Sequence, residues 1–187
     1  MVRSKPLPSR RSTRLKGFDF ATSAGHVITN CTDARRPLFG SIRDGEMHLS
    51  ALGSIVDDEW RRTPLIRPAV LLDARIVMTN HVHGIVILNQ EDPRQLGRRA
   101  QDGRPPAPVH SLGAIVRGLK AAVTARAWPE LSGIEEPIWQ RNYHDHSIRD
   151  DRELEEYRGY IDTNPKRWEL DRYNEPARTK DSVPTST

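Results

Sequence analysis

The chain has 187 residues and a mass of 21.3 kDa, which is enough for one domain with a buried core. A hydrophobic content of 36% and a mean hydropathy of −0.68 exclude a membrane-spanning protein, and one cysteine excludes an internal disulfide, so we expect a cytoplasmic protein. The net charge of +4, the pI of about 9.5 and the clustering of basic residues are typical of a protein with a polyanionic partner, and a solvated surface with a flexible basic N-terminus would give the same pattern.

The first half of the chain alternates strand and helix signals. Residues 1–11 are basic and rich in Ser and Pro, so we expect them to be disordered. The predicted elements are a strand at 26–32, a hairpin at 38–49 that turns at Asp44-Gly45, and a helix from Leu49 that Thr63-Pro64 ends.

The second half is predicted to complete one α+β domain. Its predicted elements are two strands at 69–78 and 81–88, a mobile loop at about 89–110, a helix from Ser111, and a helix from Asp150 that Pro165 ends. This mixture predicts an antiparallel β-sheet with helices packed on it. We expect the domain to span residues 12–172 and residues 173–187 to form a flexible tail.

Two histidines stand two residues apart at the head of an apolar run, Met78 to Leu88. In a strand, residues i and i+2 share a face, so His81 and His83 can bind one ion together. Two ordinary half-exposed strand residues would give the same pattern, and a metal site therefore needs a third ligand and a reactive group elsewhere in the chain.

The last predicted helix supplies two such groups. Tyr160 and Asn164 lie one turn apart at the edge of its apolar stripe. Because Pro165 follows Asn164, the backbone of Asn164 is expected to avoid the helical region and to hold its side chain at a fixed helix end.

A third group of polar residues precedes that helix. The sequence His144-Asp145-His146 is compatible with a second metal cluster, an acid/base pair, or a loop that supports the site or contacts DNA. Tyr143 borders this group and is the alternative to Tyr160 as a nucleophile.

These motifs resemble a known family. Residues 78–83 are similar to the His-hydrophobic-His element of HUH enzymes, and Tyr160-Ile161-Asp162-Thr163-Asn164-Pro165 resembles the Tyr-Ile-x-x-Asn-Pro element of the REP-associated tyrosine transposases, which are single-tyrosine HUH transposases. Further similar segments are residues 14–19, 38–40, 138–143 and 144–149, so that the resemblance covers about residues 12–172.

The resemblance implies a ferredoxin-like or RRM-like HUH fold and a single-stranded DNA endonuclease and strand-transferase. It makes His81, His83 and Asn164 ligands of Mg²⁺ or Mn²⁺, and Tyr160 the nucleophile that forms a 5′-phosphotyrosine link with REP-type DNA hairpins. Two neutral imidazoles and an amide carry no charge, so the ion would keep its Lewis acidity. The protein would act as a monomer or a homodimer.

The basic residues that we expect to contact DNA are Arg14, Lys16, Arg117, Lys120, Arg141 and Arg149. Two other functions remain open. One is a catalytically inactive DNA- or RNA-binding regulator with the same fold. The other is a zinc hydrolase, for which the sequence shows no further His, Asp or Glu ligand near the two histidines.

Overall fold

The computed structural model describes residues 23–89, 111–127, 137–171 and 173–174. The predicted disordered segment at 1–11, nearly all of the predicted loop at 89–110 and most of the predicted tail at 173–187 lie outside these residues.

Within the described residues the chain forms six strands and three α-helices. The strands are β1 (Ser23–Cys31), β2 (Gly40–Arg43), β3 (Glu46–Leu49), β4 (Val70–Val77), β5 (His81–Asn89) and β6 (His144–Ser147). The helices are α1 (Ala51–Ile66), α2 (Leu112–Ala127) and α3 (Asp151–Thr163), and short 3₁₀ segments occupy Asp33–Arg35 and Asn164–Leu170.

Four of the strands form one antiparallel sheet in the order β4-β5-β1-β6, and β2 and β3 form a separate hairpin. The predicted α+β fold with helices on an antiparallel sheet is therefore confirmed. No helix in the described part of the chain is long and apolar enough to cross a membrane.

The sheet has two differently covered faces, and β5 shows how the sequence separates them. Val82 and Val86 point into a core that α1 and α2 close, and we call this side the helix-pair face. Ile85 and Ile87 point to the other side, against α3, which we call the α3 face. Because side chains alternate along a strand, His81 and His83 share the α3 face with the two isoleucines.

Position 84 of β5, between His83 and Ile85, requires glycine. A Cβ on Gly84 would lie 2.1 Å from Cζ2 of Trp60, so only glycine lets the indole of α1 approach the strand this closely. The helix that positions Trp60 and the strand that carries the histidines are thereby in direct contact.

The predicted hairpin is confirmed, and the predicted end of the first helix is wrong. Asp44 and Gly45 both have positive φ, 51° and 72°, as a two-residue type I′ turn demands. Helix α1 continues through Pro64 to Ile66, and its last cap bond runs from the Arg67 N–H to the Thr63 carbonyl. Because Pro64 lies in the final turn, it costs the helix one hydrogen bond without ending it.

The His144-Asp145-His146 segment is an edge strand and not a loop. It pairs with β1, with Thr29 opposite His144 and Val27 opposite His146. All four residues of β6 are exposed, so the segment lacks the hydrophobic alternation by which strands are predicted.

A buried ion pair holds α3 on the sheet. Arg158 of α3 and Asp73 of β4 are 5% and 3% exposed, and the guanidinium binds the carboxylate through two hydrogen bonds, one of them from Nε to Oδ1 at 3.0 Å. Bidentate pairing of this kind fixes both position and orientation. Since Tyr160 follows Arg158 by two residues, the pair also fixes where the phenol enters the site.

We expect Arg158→Met to destabilise the protein by roughly 3–5 kcal/mol, because the change keeps the buried volume but leaves the Asp73 carboxylate without its charge partner. Urea denaturation followed by circular dichroism measures the effect. Arg152→Met is the matched control on the same helix, because Arg152 and Glu156 form an exposed i,i+4 pair that contributes about 0–1 kcal/mol. Equal losses in the two variants would contradict this account of the pair.

Candidate active site

The two histidine rings lie together on the α3 face at the start of β5. His81 is fully buried, His83 is 2% exposed, and their ring centroids are 4.5 Å apart. Both rings face polar groups and not the apolar core. His83 lies beside the Tyr160 hydroxyl of α3, and both histidines lie near the Asp171 carboxylate in the segment after it. The expectation that the two imidazoles share one face is confirmed.

Each ring is oriented by a hydrogen bond at its Nδ1 atom. His83 Nδ1 lies 2.8 Å from Thr29 Oγ1, and His81 Nδ1 lies 2.8 Å from Asn80 Oδ1. The Asn80 amide nitrogen donates to the carbonyl oxygens of Tyr173 and Arg35 at 2.8 and 3.2 Å, so its oxygen is left to accept from His81. His81 therefore presents the lone pair of Nε2 to the site, as a metal-binding imidazole does.

Tyr160 reaches the histidines from α3. Its hydroxyl oxygen lies 3.3 Å from His83 Nε2 and donates to Asp171 Oδ2, also at 3.3 Å. The rings of His83 and Tyr160 meet edge to face with centroids 5.2 Å apart. The predicted closeness of this phenol to the two imidazoles is confirmed, while its chemical role stays a prediction.

Asn164 lies one turn further along and is 1% exposed. Its backbone is helical (φ −54°, ψ −46°), so the expectation that Pro165 moves it out of the helical region is wrong. The Asn164 N–H bonds the Ile161 carbonyl and its side-chain Nδ2 donates to Asp171 Oδ2 at 2.9 Å. These two bonds and the burial outweigh the local preference before proline, which is a bias rather than a prohibition.

The amide oxygen of Asn164 is a candidate ligand for a cation. Among the described residues it has no hydrogen-bond partner, although it is buried. A buried acceptor without a partner is costly unless a water molecule or an ion satisfies it. The donor set around it fits a divalent metal ion.

Asp171 is the site residue that the sequence analysis missed. One ligand atom from each of His81, His83 and Asp171 lies within 4.8 Å of the others, so these three residues could hold a metal ion. With Asp171 as a ligand the set would carry one negative charge, so the predicted uncharged set of His81, His83 and Asn164 stays a prediction to which Asp171 is a possible addition. A single acid seven residues after Asn164 gives little sequence signal, and only the 3₁₀ turn after α3 brings it back to the site.

Aromatic side chains cover the histidines. The ring of Tyr173 lies 4.6 Å from that of His81, and the ring of Trp168 lies 6.0 Å from it. Tyr173 is 3% exposed, and its N–H donates to Asp171 Oδ1 at 2.8 Å. Its assignment to a flexible tail is therefore wrong, because it belongs to the wall of the site.

Tyr143, the alternative nucleophile, lies on the other side of the sheet. It packs against the core of α1 and α2 on the helix-pair face, whereas the histidines lie on the α3 face. Burial, and then the charge of Asp145, raises the pKa of the Tyr143 hydroxyl above its usual value. Both observations favour Tyr160.

The residues expected to contact DNA have different surroundings. Arg14 and Lys16 lie outside the described residues. Arg117 and Arg141 are exposed. Lys120 donates to the carbonyl oxygens of Gln140 and Asn142 at 2.8 and 2.9 Å, and therefore has a structural role in holding that turn. Helix α2, which carries Arg117 and Lys120, lies on the helix-pair face, away from the histidines.

Arg149 is tied to the start of α3. Its guanidinium and its N–H bind the carboxylate of Glu153, to which His146 Nε2 also lies close, at 2.7 Å. The bonds from Arg149, and then the one from His146, lower the pKa of Glu153 to about 2. This cluster fixes β6 to α3, and a DNA contact of Arg149 stays a prediction.

An open cavity of about 460 Å³ leads from the site toward the edge of the sheet. Its walls include the site residues His83, Tyr160, Asn164 and Asp171, and also His144 of the edge strand β6. This volume lies in the range of small-ligand sites and is sufficient for a nucleotide unit.

Comparison with known proteins places the chain in a family. No protein-family model matches the sequence. An uncharacterised protein of Haemophilus influenzae is 36% identical over 168 residues, which cover 87% of this chain and 91% of that protein. The solved structure of a REP-associated tyrosine transposase bound to a REP hairpin superposes with a TM-score of 0.54 at 18% identity, over 87% of this chain and 74% of the transposase. The chain therefore belongs to one family with the Haemophilus influenzae protein, and its fold is that of a REP-associated tyrosine transposase.

Proposed function

We propose that this protein is a metal-dependent single-stranded DNA endonuclease and strand-transferase that acts on REP-type DNA hairpins through a 5′-phosphotyrosine intermediate. The observation that carries the proposal is the position of the Tyr160 hydroxyl, 3.3 Å from His83 Nε2 and beside the His81, His83 and Asp171 cluster. A phenol next to possible metal ligands suits attack on a phosphodiester better than it suits a purely structural role.

His81, His83 and Asp171, with the amide oxygen of Asn164, would hold a divalent ion such as Mg²⁺ or Mn²⁺. When bound, the ion supplies Lewis-acid polarisation of the scissile phosphate. Oxygen ligands suit both ions, and two imidazoles favour Mn²⁺ over Mg²⁺.

The remaining steps belong to the side chains. Tyr160 is half-buried and is held between His83 and Asp171, so its hydroxyl is oriented before substrate binds. The Asp171 carboxylate already accepts the phenol hydrogen and can take the proton as the tyrosine–phosphorus bond forms. The bond between phosphorus and the 3′-oxygen breaks, and that oxygen takes a proton from water or from a nearby acid, which gives a 5′-phosphotyrosine and a 3′-hydroxyl. One phosphodiester replaces another, so the reverse reaction joins strands without ATP.

A cleavage assay tests the proposal directly. The substrate is an end-labelled REP-type hairpin with a single-stranded flank, incubated with Mn²⁺ or with EDTA. We expect a covalent adduct on denaturing gels and a shortened strand with a 3′-hydroxyl in Mn²⁺, and neither product in EDTA. The alternative function, an inactive DNA- or RNA-binding regulator, predicts a gel shift without cleavage in both conditions.

A further inference from the structure

A third histidine, His144, lies next to the site on the same face of the sheet. Thr29 of β1 pairs with His83 on one side and with His144 on the other. All three side chains therefore lie on the α3 face, and the Cα atoms of the two histidines are about 10 Å apart, two antiparallel strand spacings. The same cavity is lined by both histidines and by Tyr160.

In-line displacement at phosphorus places the attacking and leaving oxygens on opposite sides of the phosphate. The attacking oxygen, that of Tyr160, lies beside His83. A phosphate bound between Tyr160 and β6 would therefore direct its leaving 3′-oxygen away from Tyr160 and toward β6, the strand that carries His144.

Among the other cavity residues able to carry a proton, Asp171 lies beside the attacking Tyr160 hydroxyl, and Asp145 pairs with Ile28, one position along β6 from His144, so that the strand alternation turns it to the opposite face of the sheet. His146 Nε2 lies 2.7 Å from the Glu153 carboxylate and is held by it. Arg167 presents a guanidinium, which serves as a hydrogen-bond donor and not as a general acid. The ring of Tyr157 packs 5.5 Å from that of His146. His144 is exposed and forms no side-chain hydrogen bond within the described residues, so its imidazole is available to a ligand.

We infer that His144 is a catalytic residue that protonates the leaving 3′-oxygen during strand cutting. The inference rests on the proposed function and adds a role to it. As the bond from Tyr160 to phosphorus forms and the phosphorus–3′-oxygen bond breaks, the imidazolium of His144 passes its proton to that oxygen. The products are a neutral imidazole and a 3′-hydroxyl. In strand joining the neutral imidazole takes the proton back from the attacking 3′-hydroxyl, as microscopic reversibility requires.

The test uses two DNA substrates, one with the normal scissile 3′-oxygen and one with sulfur in its place. A thiolate leaves without a proton, so a missing general acid matters little for the sulfur substrate. For His144→Ala and His144→Gln we expect single-turnover cleavage of the oxygen substrate to fall about 10²–10⁴-fold, the usual contribution of general acid catalysis. We expect the sulfur substrate to be cut within about 10-fold of the wild-type rate.

His146→Ala is the matched control, because it removes an imidazole of the same strand that is held by Glu153. It should slow both substrates by the same factor, if it slows either. Equal losses on both substrates in the two His144 variants, or no loss on either, would overturn the role of His144 while wild-type adduct formation upholds the proposed function. If the wild-type protein forms no adduct with either substrate, the proposed function fails and the inference fails with it.

Discussion

Replacing Tyr160 with phenylalanine is expected to abolish the covalent protein–DNA adduct. The variant keeps the ring that packs edge to face on His83 and loses only the hydroxyl oxygen, 3.3 Å from His83 Nε2 and from Asp171 Oδ2. Without that oxygen no phosphotyrosine bond can form, so both adduct and 3′-hydroxyl product should fall below detection. Denaturing gels of the labelled hairpin in Mn²⁺ measure both products.

The matched control is Tyr143→Phe, which removes a hydroxyl from the opposite face of the sheet. We expect this variant to form the adduct, at a reduced level if the turn before β6 shifts. The binding of hairpin DNA by both variants, followed by gel shift, should stay close to wild type. Adducts that persist in the Tyr160 variant and vanish in the Tyr143 variant would reverse the assignment of the nucleophile.

The second large effect is expected from the metal ligands. His83→Ala removes one of three possible ligand side chains that lie within 4.8 Å of each other, and Asp171→Asn removes the only charge among them. Loss of outer-shell partners alone weakens metal sites by about 10–100-fold, so we expect His83→Ala to weaken Mn²⁺ binding by more than about 100-fold. Isothermal titration with Mn²⁺ measures the affinity, and strand cleavage should be lost in parallel.

His48→Ala provides the control, because His48 is an exposed histidine on β3 outside the site. Its Mn²⁺ affinity should equal that of the wild type. Unchanged Mn²⁺ affinity in both His83→Ala and Asp171→Asn would show that Mn²⁺ does not bind at this site. A wild-type protein that retains one zinc ion per chain and cuts no DNA would favour the zinc hydrolase, since Asp171 could supply the third ligand that the sequence did not reveal.

The parts of the site that sequence analysis predicted depend on local geometry. The spacing of His81 and His83 decides which face of a strand they share, and the spacing of Tyr160 and Asn164 decides which side of a helix they occupy. These relations hold whatever the tertiary structure. Spacing alone does not predict that the helix with Tyr160 packs over the strand with His81 and His83. That long-range contact was predicted from the resemblance to known motifs.

The parts that it missed depend on how the chain folds back. Asp171 and Tyr173 reach the histidines only because Asn164–Leu170 form a 3₁₀ turn after α3, where a proline had been expected simply to end the helix. The strand β6 was missed because an exposed edge strand needs only one partner and no apolar alternation. Backbone pairing with β1, rather than side-chain pattern, defines it.

The buried ion pair between Arg158 and Asp73 has a consequence for the role of a dimer. It holds α3, which carries Tyr160, on the sheet of its own chain, so the Tyr160 hydroxyl and the histidines that we propose as the reaction centre come from one polypeptide. Cutting and rejoining would then be possible for a solitary molecule, and association of two copies would serve to bring separate DNA ends together rather than to complete the chemistry.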